Sequence, residues 1–356
     1  MLLALCPCQS AAAEEAVDSM PALQGSWIRQ LVQSGFKLND PRIDYPRFPR
    51  FCLNVYNWID GNFNSFDPDY VVSPIGFARV QFKNYNWNQS YVYNFALDIP
   101  ENKVWLRTDM RSDMGFQVNL LAFSFGATWN VNKWFRRVAD RRETYNFSVT
   151  TSRFSFDLSR SSSDTHGTLI NEAFRDRNLQ VPISQYSLDV NAYYFFNHRR
   201  YSQSAAYGSS KIQIRSAGSW LLGVDYNRQR LNLDFKSMPE DFLSLYPELP
   251  LHPSYRYTDY NLLGGYAHNF VLGHGHKWLI NLTGLPFVGY KRQPHKESSR
   301  RELLSLGGIG RSAVVFNHRR FFAGALFYIN SNFYLTRHYA LFNSIESVTF
   351  HVGVRI

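Results

Sequence analysis

The sequence predicts an all-β fold: a closed antiparallel transmembrane β-barrel of about 14 strands, with roughly 12 to 16 as the range its turn signals allow. Three observations predict it. Apolar residues recur at period two over stretches longer than an ordinary globular strand. The face opposite the apolar one carries mostly small or short polar residues. The last residues, "SVTFHVGVRI", alternate up to Ile356, with Phe350, Val352, Val354 and Ile356 on one face and Thr349, His351, Gly353 and Arg355 on the other.

The opening "MLLALCPCQSAAAEEA" sets a short apolar run before Ala11, Ala12 and Ala13. That is the back half of a secretory signal, expected over residues 1–13. No basic residue precedes the run, so the true start is expected upstream. Cleavage after Ala13 would remove Cys6 and Cys8 and leave Cys52, so no internal disulfide is expected. Residues 14–49 read as a periplasmic N-terminal segment. Trp27, Ile28, Leu31 and Val32 have helical spacing, Gly35 can end the helix, and Pro41, Pro46 and Pro49 suggest an extended tether. Residues 50–356 read as the barrel, with a first strand near Phe51–Trp58.

The clearest strands follow. In "LLAFSFGATWNV", Leu121 to Val131 alternate, with Trp129 on the apolar face. In "RFSFDLSR", Phe154, Phe156 and Leu158 oppose Arg153, Ser155 and Asp157. In "QYSLDVNAYYFF", Tyr186, Leu188 and Val190 oppose Ser187, Asp189 and Asn191. In "RQRLNLDFK", Leu231, Leu233 and Phe235 oppose Arg230, Asn232, Asp234 and Lys236. A soluble sandwich also alternates, so the polar face decides. Short polar side chains suit a narrow lumen, and Trp129, Tyr186, Trp220, Tyr226, Trp278 and Tyr290 near strand ends suit aromatic girdles at a lipid interface. No stretch of about 18 apolar residues occurs beyond the first positions, so a helical span is not expected.

Alternation places eleven charged residues in the lumen: Arg153, Asp157, Asp189, Arg215, Asp225, Arg230, Asp234, Lys236, Asp259, Arg311 and Arg355. Both signs occur. They either staple the interior together or line a polar conduit. The net charge of +10 suits an anionic neighbour, but Lys and Arg are dispersed singly, so outer-membrane lipid is the expected partner and nucleic acid is not.

Ten histidines invite a search for catalytic or metal sites. No G-x-S-x-G occurs. Ser347 and His351 are too far apart along one strand for a direct bond, and His274 and His276 in "GHGHK" read as a turn. No catalytic residue, metal or cofactor is expected.

"FNHRRY", Phe196 to Tyr201, recurs as "FNHRRF", Phe316 to Phe321, and each copy reads as a hairpin turn. Six strands are expected between them, including Tyr201–Gly208 and a turn at Asn227–Gln229. The even number puts both turns on one side. Longer connections at Ser161–Ser184, Ser237–Tyr255, Gln293–Arg301 and Leu335–Asn343 lie opposite, which makes the short-turn side periplasmic.

The stretches "DPRIDYPRFPRFCLNVYNW", "FNSFDPDYVV", "YYFFNHRRYSQSAAYGSSK", "RSAGSWLLGVDYN", "LLSLGGIGR" and "YALFNSIESVTFHVGVRI" resemble an uncharacterised β-barrel family of the Bacteroidetes outer membrane, a domain of unknown function. The resemblance implies a barrel in the bacterial outer membrane, inserted by the barrel-assembly machinery through its C-terminal strand. It implies no catalytic residues. Ile356 departs from the usual terminal Phe or Trp of such barrels. The expected function is non-enzymatic: a structural barrel, a narrow channel, or a barrel binding a solute or an unknown extracellular or periplasmic protein partner. The alternatives are a lipid-modifying outer-membrane enzyme and a soluble secreted β-sandwich.

Overall fold

The computed structural model describes residues 21–35, 37–74, 78–95, 103–120, 123–131, 141–171, 174, 177–273, 275–292, 302–335 and 339–356. The signal expected over residues 1–13, His274 and the connection 293–301 lie outside the described residues. The chain divides into two compact units, Met1–Asn62 and Phe63–Ile356.

The first unit is helical. Helix α1 spans Trp27–Gln33, and Trp27 and Tyr45 bring their ring centroids to 5.8 Å. Helix α2 spans Arg47–Phe63. It corrects the strand expected at Phe51–Trp58: Phe51, Leu53 and Val55 alternate, yet Phe51, Val55 and Trp58 also fit a helical stripe. Pro49 falls in the first turn, where its missing N–H costs nothing.

The second unit is a barrel. Its elements in order are β1 (Val71–Val72), β2 (Ala78–Asn94), β3 (Lys103–Thr108), β4 (Arg111–Leu120), β5 (Phe123–Asn130), β6 (Arg141–Thr150), β7 (Phe154–Ile170), β8 (Gln180–Phe195), β9 (Ile212–Gln213), β10 (Ala217–Leu233), helix α3 (Glu240–Leu245), β11 (Ser254–Leu272), β12 (Trp278–Arg292), β13 (Glu302–His318), β14 (Phe321–Leu335) and β15 (Ala340–Arg355). The wall is an antiparallel sheet of thirteen strands, near the expected number, and ten of them form the closed ring. Closure comes from β15 pairing with β2 along its length, from Ala340↔Asn94 to Arg355↔Arg79. Ile356 N–H donates to the Ala78 carbonyl at 2.9 Å, so the pairing runs to the last residue.

Two expected strands change. Residues 201–208 form no strand: a π-helical turn covers Ser204–Gly208. No turn interrupts β10 at Asn227–Gln229, where Asn227 pairs with Asp189 and with Asp259 on its two sides. The two FNHRR turns are therefore separated by four long strands, still an even number, and both lie at the end of the barrel where the chain terminates. We call this the near end. The two copies diverge after the turn. The second closes a tight hairpin with His318 opposite Phe321. The first sends Tyr201 and the residues after it into the barrel mouth, where Asn281 Nδ2 donates to Tyr201 Oη at 3.2 Å and Asn269 Nδ2 donates to the Ser202 carbonyl at 2.9 Å.

The outward face carries Trp220, Leu222, Val224, Leu262, Leu282 and Val288, all well exposed. Tyr226, Tyr260 and Tyr290 lie side by side on β10, β11 and β12 toward the far end. From Trp278 to Tyr290 the outward face of β12 rises roughly 30 Å at the usual strand rise and barrel tilt. Beyond these tyrosines the outward face turns polar: Arg228, Arg230 and Asn232 are exposed, while Leu231 and Leu233 are buried. This reverses the facing expected for "RQRLNLDFK". Along one uninterrupted strand the apolar residues point outward within the belt and inward above it, where Leu231 and Leu233 join the apolar cluster that fills the far end.

Candidate functional site

The interior is filled at three levels: by contacts across the lumen at the far end, by a polar layer below them, and by the inserted segment at the near end. At the far end Tyr93 of β2 meets Tyr255 of β11 with centroids at 5.5 Å, and Tyr257 stacks on Tyr334 of β14 at 5.1 Å. Phe235 and Phe242 of the connection after β10 are fully buried in the same apolar cluster. Below it lies a polar layer. Gln89 Nε2 of β2 donates to Gln185 Oε1 of β8 at 2.8 Å. Lys291 donates to Asp259, both side chains are 0% exposed, and the ammonium lies 3.4 Å from the Tyr334 ring centroid. Asn261 Nδ2 donates to Asp225 at 2.6 Å and Asn227 donates to Asp189. Each buried carboxylate of this layer thus faces a donor, as burial requires. At the near end the inserted segment after Tyr201 fills part of the mouth.

Beside that insert a compartment of ≈ 300 Å³ remains, lined among others by Arg79 and Lys83 of β2, Asp157 of β7, Arg311 of β13, and Gln203 and Tyr207 of the insert. Alternation along β2 turns Arg79 and Lys83 inward between outward Val80 and Phe82. The closing seam then sets His351 directly across from Lys83 and Arg355 across from Arg79. Asp157 is already engaged. Tyr193 Oη donates to its Oδ2 at 3.1 Å, Ser148 Oγ donates to its Oδ1 at 2.7 Å, and Arg311 Nη2 stands 3.7 Å away. Arg311 Nη1 and Gln203 Nε2 each donate to Tyr193 Oη at 2.8 Å. Among the described residues no carboxylate lies within ion-pair distance of Lys83. Among the described residues Lys83 thus faces the compartment with no carboxylate of its own, beside Arg79 and the already engaged Arg311–Asp157 pair, an arrangement that receives negative charge.

Of the eleven charged residues expected inside, Asp157, Asp189, Asp225, Asp259, Arg311 and Arg355 point into the barrel. Five do not. Arg230 is exposed on the outer wall, because β10 runs straight through residues 227–229 and keeps the parity of outward Trp220. Asp234 and Lys236 lie past the end of β10, where Asp234 pairs with His252 at 3.1 Å. Arg215 precedes β10, exposed, with its guanidinium 5.8 Å from the Tyr70 ring. Arg153 sits in the β6–β7 turn. Residue-by-residue reading missed Arg79, Lys83 and Lys291, although Arg79, Gln81 and Lys83 alternate with Ala78, Val80 and Phe82 in "ARVQFK".

A family profile described as "Domain of unknown function (DUF4421)" matches residues 66–355. The chain belongs to the DUF4421 family. The match covers the whole barrel and brings no residue roles. No curated protein matches the chain. Among solved structures, similarity extends to the outer membrane protease OmpT of Escherichia coli (7% identity, TM-score 0.35, covering 83% of this chain and 99% of that one). It extends also to the Pseudomonas putida toluene transporter TodX (10% identity, TM-score 0.24, covering 80% and 91%). A third is Pseudomonas aeruginosa OpdL (7% identity, TM-score 0.19, covering 78% and 99%). A protease and a transporter share no activity, so this DUF4421 chain takes none from them.

Proposed function

We propose that this DUF4421 protein is an integral, non-enzymatic barrel of the bacterial outer membrane that holds a small anionic solute in its near-end compartment and conducts no ions. One observation carries the reading: side chains from non-neighbouring strands meet across the lumen at the far end and, through Gln89 and Gln185, in the middle, while a cationic compartment remains at the near end. The outward apolar belt, rising roughly 30 Å, matches the hydrocarbon thickness of a bilayer. Apart from the insert-bearing connection between β8 and β10, the near-end turns are short and the far-end connections longer, which favours a periplasmic near end and an extracellular far end. The barrel-assembly machinery is the proposed partner of β15, and outer-membrane lipid the partner of the belt. The test is reconstitution in planar bilayers. No stable conductance is expected from the wild type. A large ohmic conductance would establish an open channel and overturn the reading.

A further inference from the structure

On the outer wall, directly above the tyrosine row Tyr226–Tyr260–Tyr290, four arginines crowd onto three adjacent strands. Arg228 and Arg292 flank Thr258 in one row across β10, β11 and β12. One step higher, Arg230 lies directly across from Arg256. The first row continues across β8 to Arg160 of β7, through Leu188. All five are exposed. The four arginines border a groove of ≈ 390 Å³ whose lower edge is Tyr226 and Tyr260. Among the described residues no carboxylate pairs with any of the four. Like charges directly opposite on neighbouring strands repel, so this arrangement gains from a counter-charge outside the protein.

We propose that this groove binds the phosphate groups of a phosphorylated glycolipid in the outer leaflet. The inference rests on the location reading above, since it needs the belt in a bilayer and the far end outward. Tyrosine rows mark the depth where hydrocarbon gives way to headgroups. Residues one and two steps beyond them stand where lipid phosphates lie. Arginines on alternate strands are about 10 Å apart, two inter-strand spacings, so each can engage a separate phosphate oxygen set. The guanidinium forks two N–H groups onto phosphate oxygens, which an ammonium cannot do. Tyr226 and Tyr260 offer the acyl end of the same lipid an apolar wall. A protein partner would need no contact with the belt; a lipid is in contact with both belt and groove.

The experiment uses the full-length barrel in nanodiscs of zwitterionic phospholipid, titrated with bis-phosphorylated lipid A and with the same lipid after phosphatase treatment, and followed by native mass spectrometry. The wild type is expected to prefer the phosphorylated form by about tenfold or more. The variant Arg228→Gln/Arg230→Gln/Arg256→Gln/Arg292→Gln is expected to lose that preference. A control variant with Arg199, Arg319, Arg320 and Lys277 changed to Gln, all exposed near-end cations, is expected to retain it. Heat-modifiable gel migration reports folding, and the double variant Arg230→Gln/Arg256→Gln replaces the quadruple one if the latter does not fold. Equal binding of the two lipids by the wild type, or equal loss in variant and control, would overturn the proposal while leaving the closed barrel standing. Recovery of the wild type in the soluble periplasmic fraction would overturn the location reading and this proposal with it.

Discussion

Arg355, the penultimate residue, lies directly across the closing seam from Arg79 near the start of the first barrel strand. Arg355 is 1% exposed, and its Nη2 donates to Asn317 Oδ1 at 2.5 Å. Two pleats higher, Lys83 stands opposite His351. The step that seals the barrel therefore gathers positive charge on its inner side.

That charge should be measurable through anions. Inorganic phosphate or sulfate is expected to raise the thermal midpoint of the refolded barrel. Lys83→Met, which removes a cation without a carboxylate partner, is expected to raise the midpoint in anion-free buffer and to shrink the phosphate response. Differential scanning calorimetry in detergent reads both. A variant that is destabilised without anion and keeps the full response would remove Lys83 from the site.

The buried pair Lys291–Asp259 behaves differently, because each charge has its partner. Breaking it by Lys291→Met strands a carboxylate among Tyr257, Tyr334 and Asp225, at a cost of about 3–5 kcal/mol. The double change Lys291→Met/Asp259→Leu removes both charges and should recover most of that loss. Urea unfolding in lipid vesicles checks the order. A double variant weaker than the single one would show that the pair contributes net stability.

The facing of β10 can be tested by one substitution at three heights. Leu222 is outward and 48% exposed within the belt, so Leu222→Arg should cost about 2–4 kcal/mol or block assembly. Asn232→Arg, outward above the belt, should be tolerated within about 0.5 kcal/mol. Leu233→Arg should be severe for another reason: it buries a charge in the far-end apolar cluster. Folding yields into vesicles rank the three. Tolerance of Leu233→Arg with failure of Asn232→Arg would invert the facing.

In the first unit, Arg42 bonds both oxygens of Asp40, at 2.9 and 2.6 Å, and holds its carboxyl down at about 2 from the ordinary 3.8. A lowered folded-state value means the contribution is fully present above pH 3.8 and is lost as pH falls through about 2. Carbon-detected NMR of the full chain in detergent should find Asp40 ionised at about pH 3, and Arg42→Ala should return its midpoint toward 3.8. An unchanged midpoint in that variant would show that the Arg42 bond is not the cause.

The sequence by itself determined the barrel: the two-residue period, its short polar side, and the alternation maintained to Ile356 depend on local side-chain order, which any closed wall must respect. It determined the inward position of Asp157 and Asp189 for the same reason, since Phe156 and Leu158 flank the one and Leu188 and Val190 the other. Three things only the tertiary structure decided. The direction of Leu231 and Leu233 depends on where the interior becomes an apolar cluster, and period two is unchanged when the two faces exchange polarity. The path of residues 201–208 depends on Asn269 and Asn281, which accept or reject the insert from strands more than sixty residues away. The cationic compartment depends on closure, because Arg79 and Lys83 of β2 face Arg311 of β13 and Asp157 of β7 only once the wall has closed on itself, and no local pattern encodes a contact between segments so far apart in the chain.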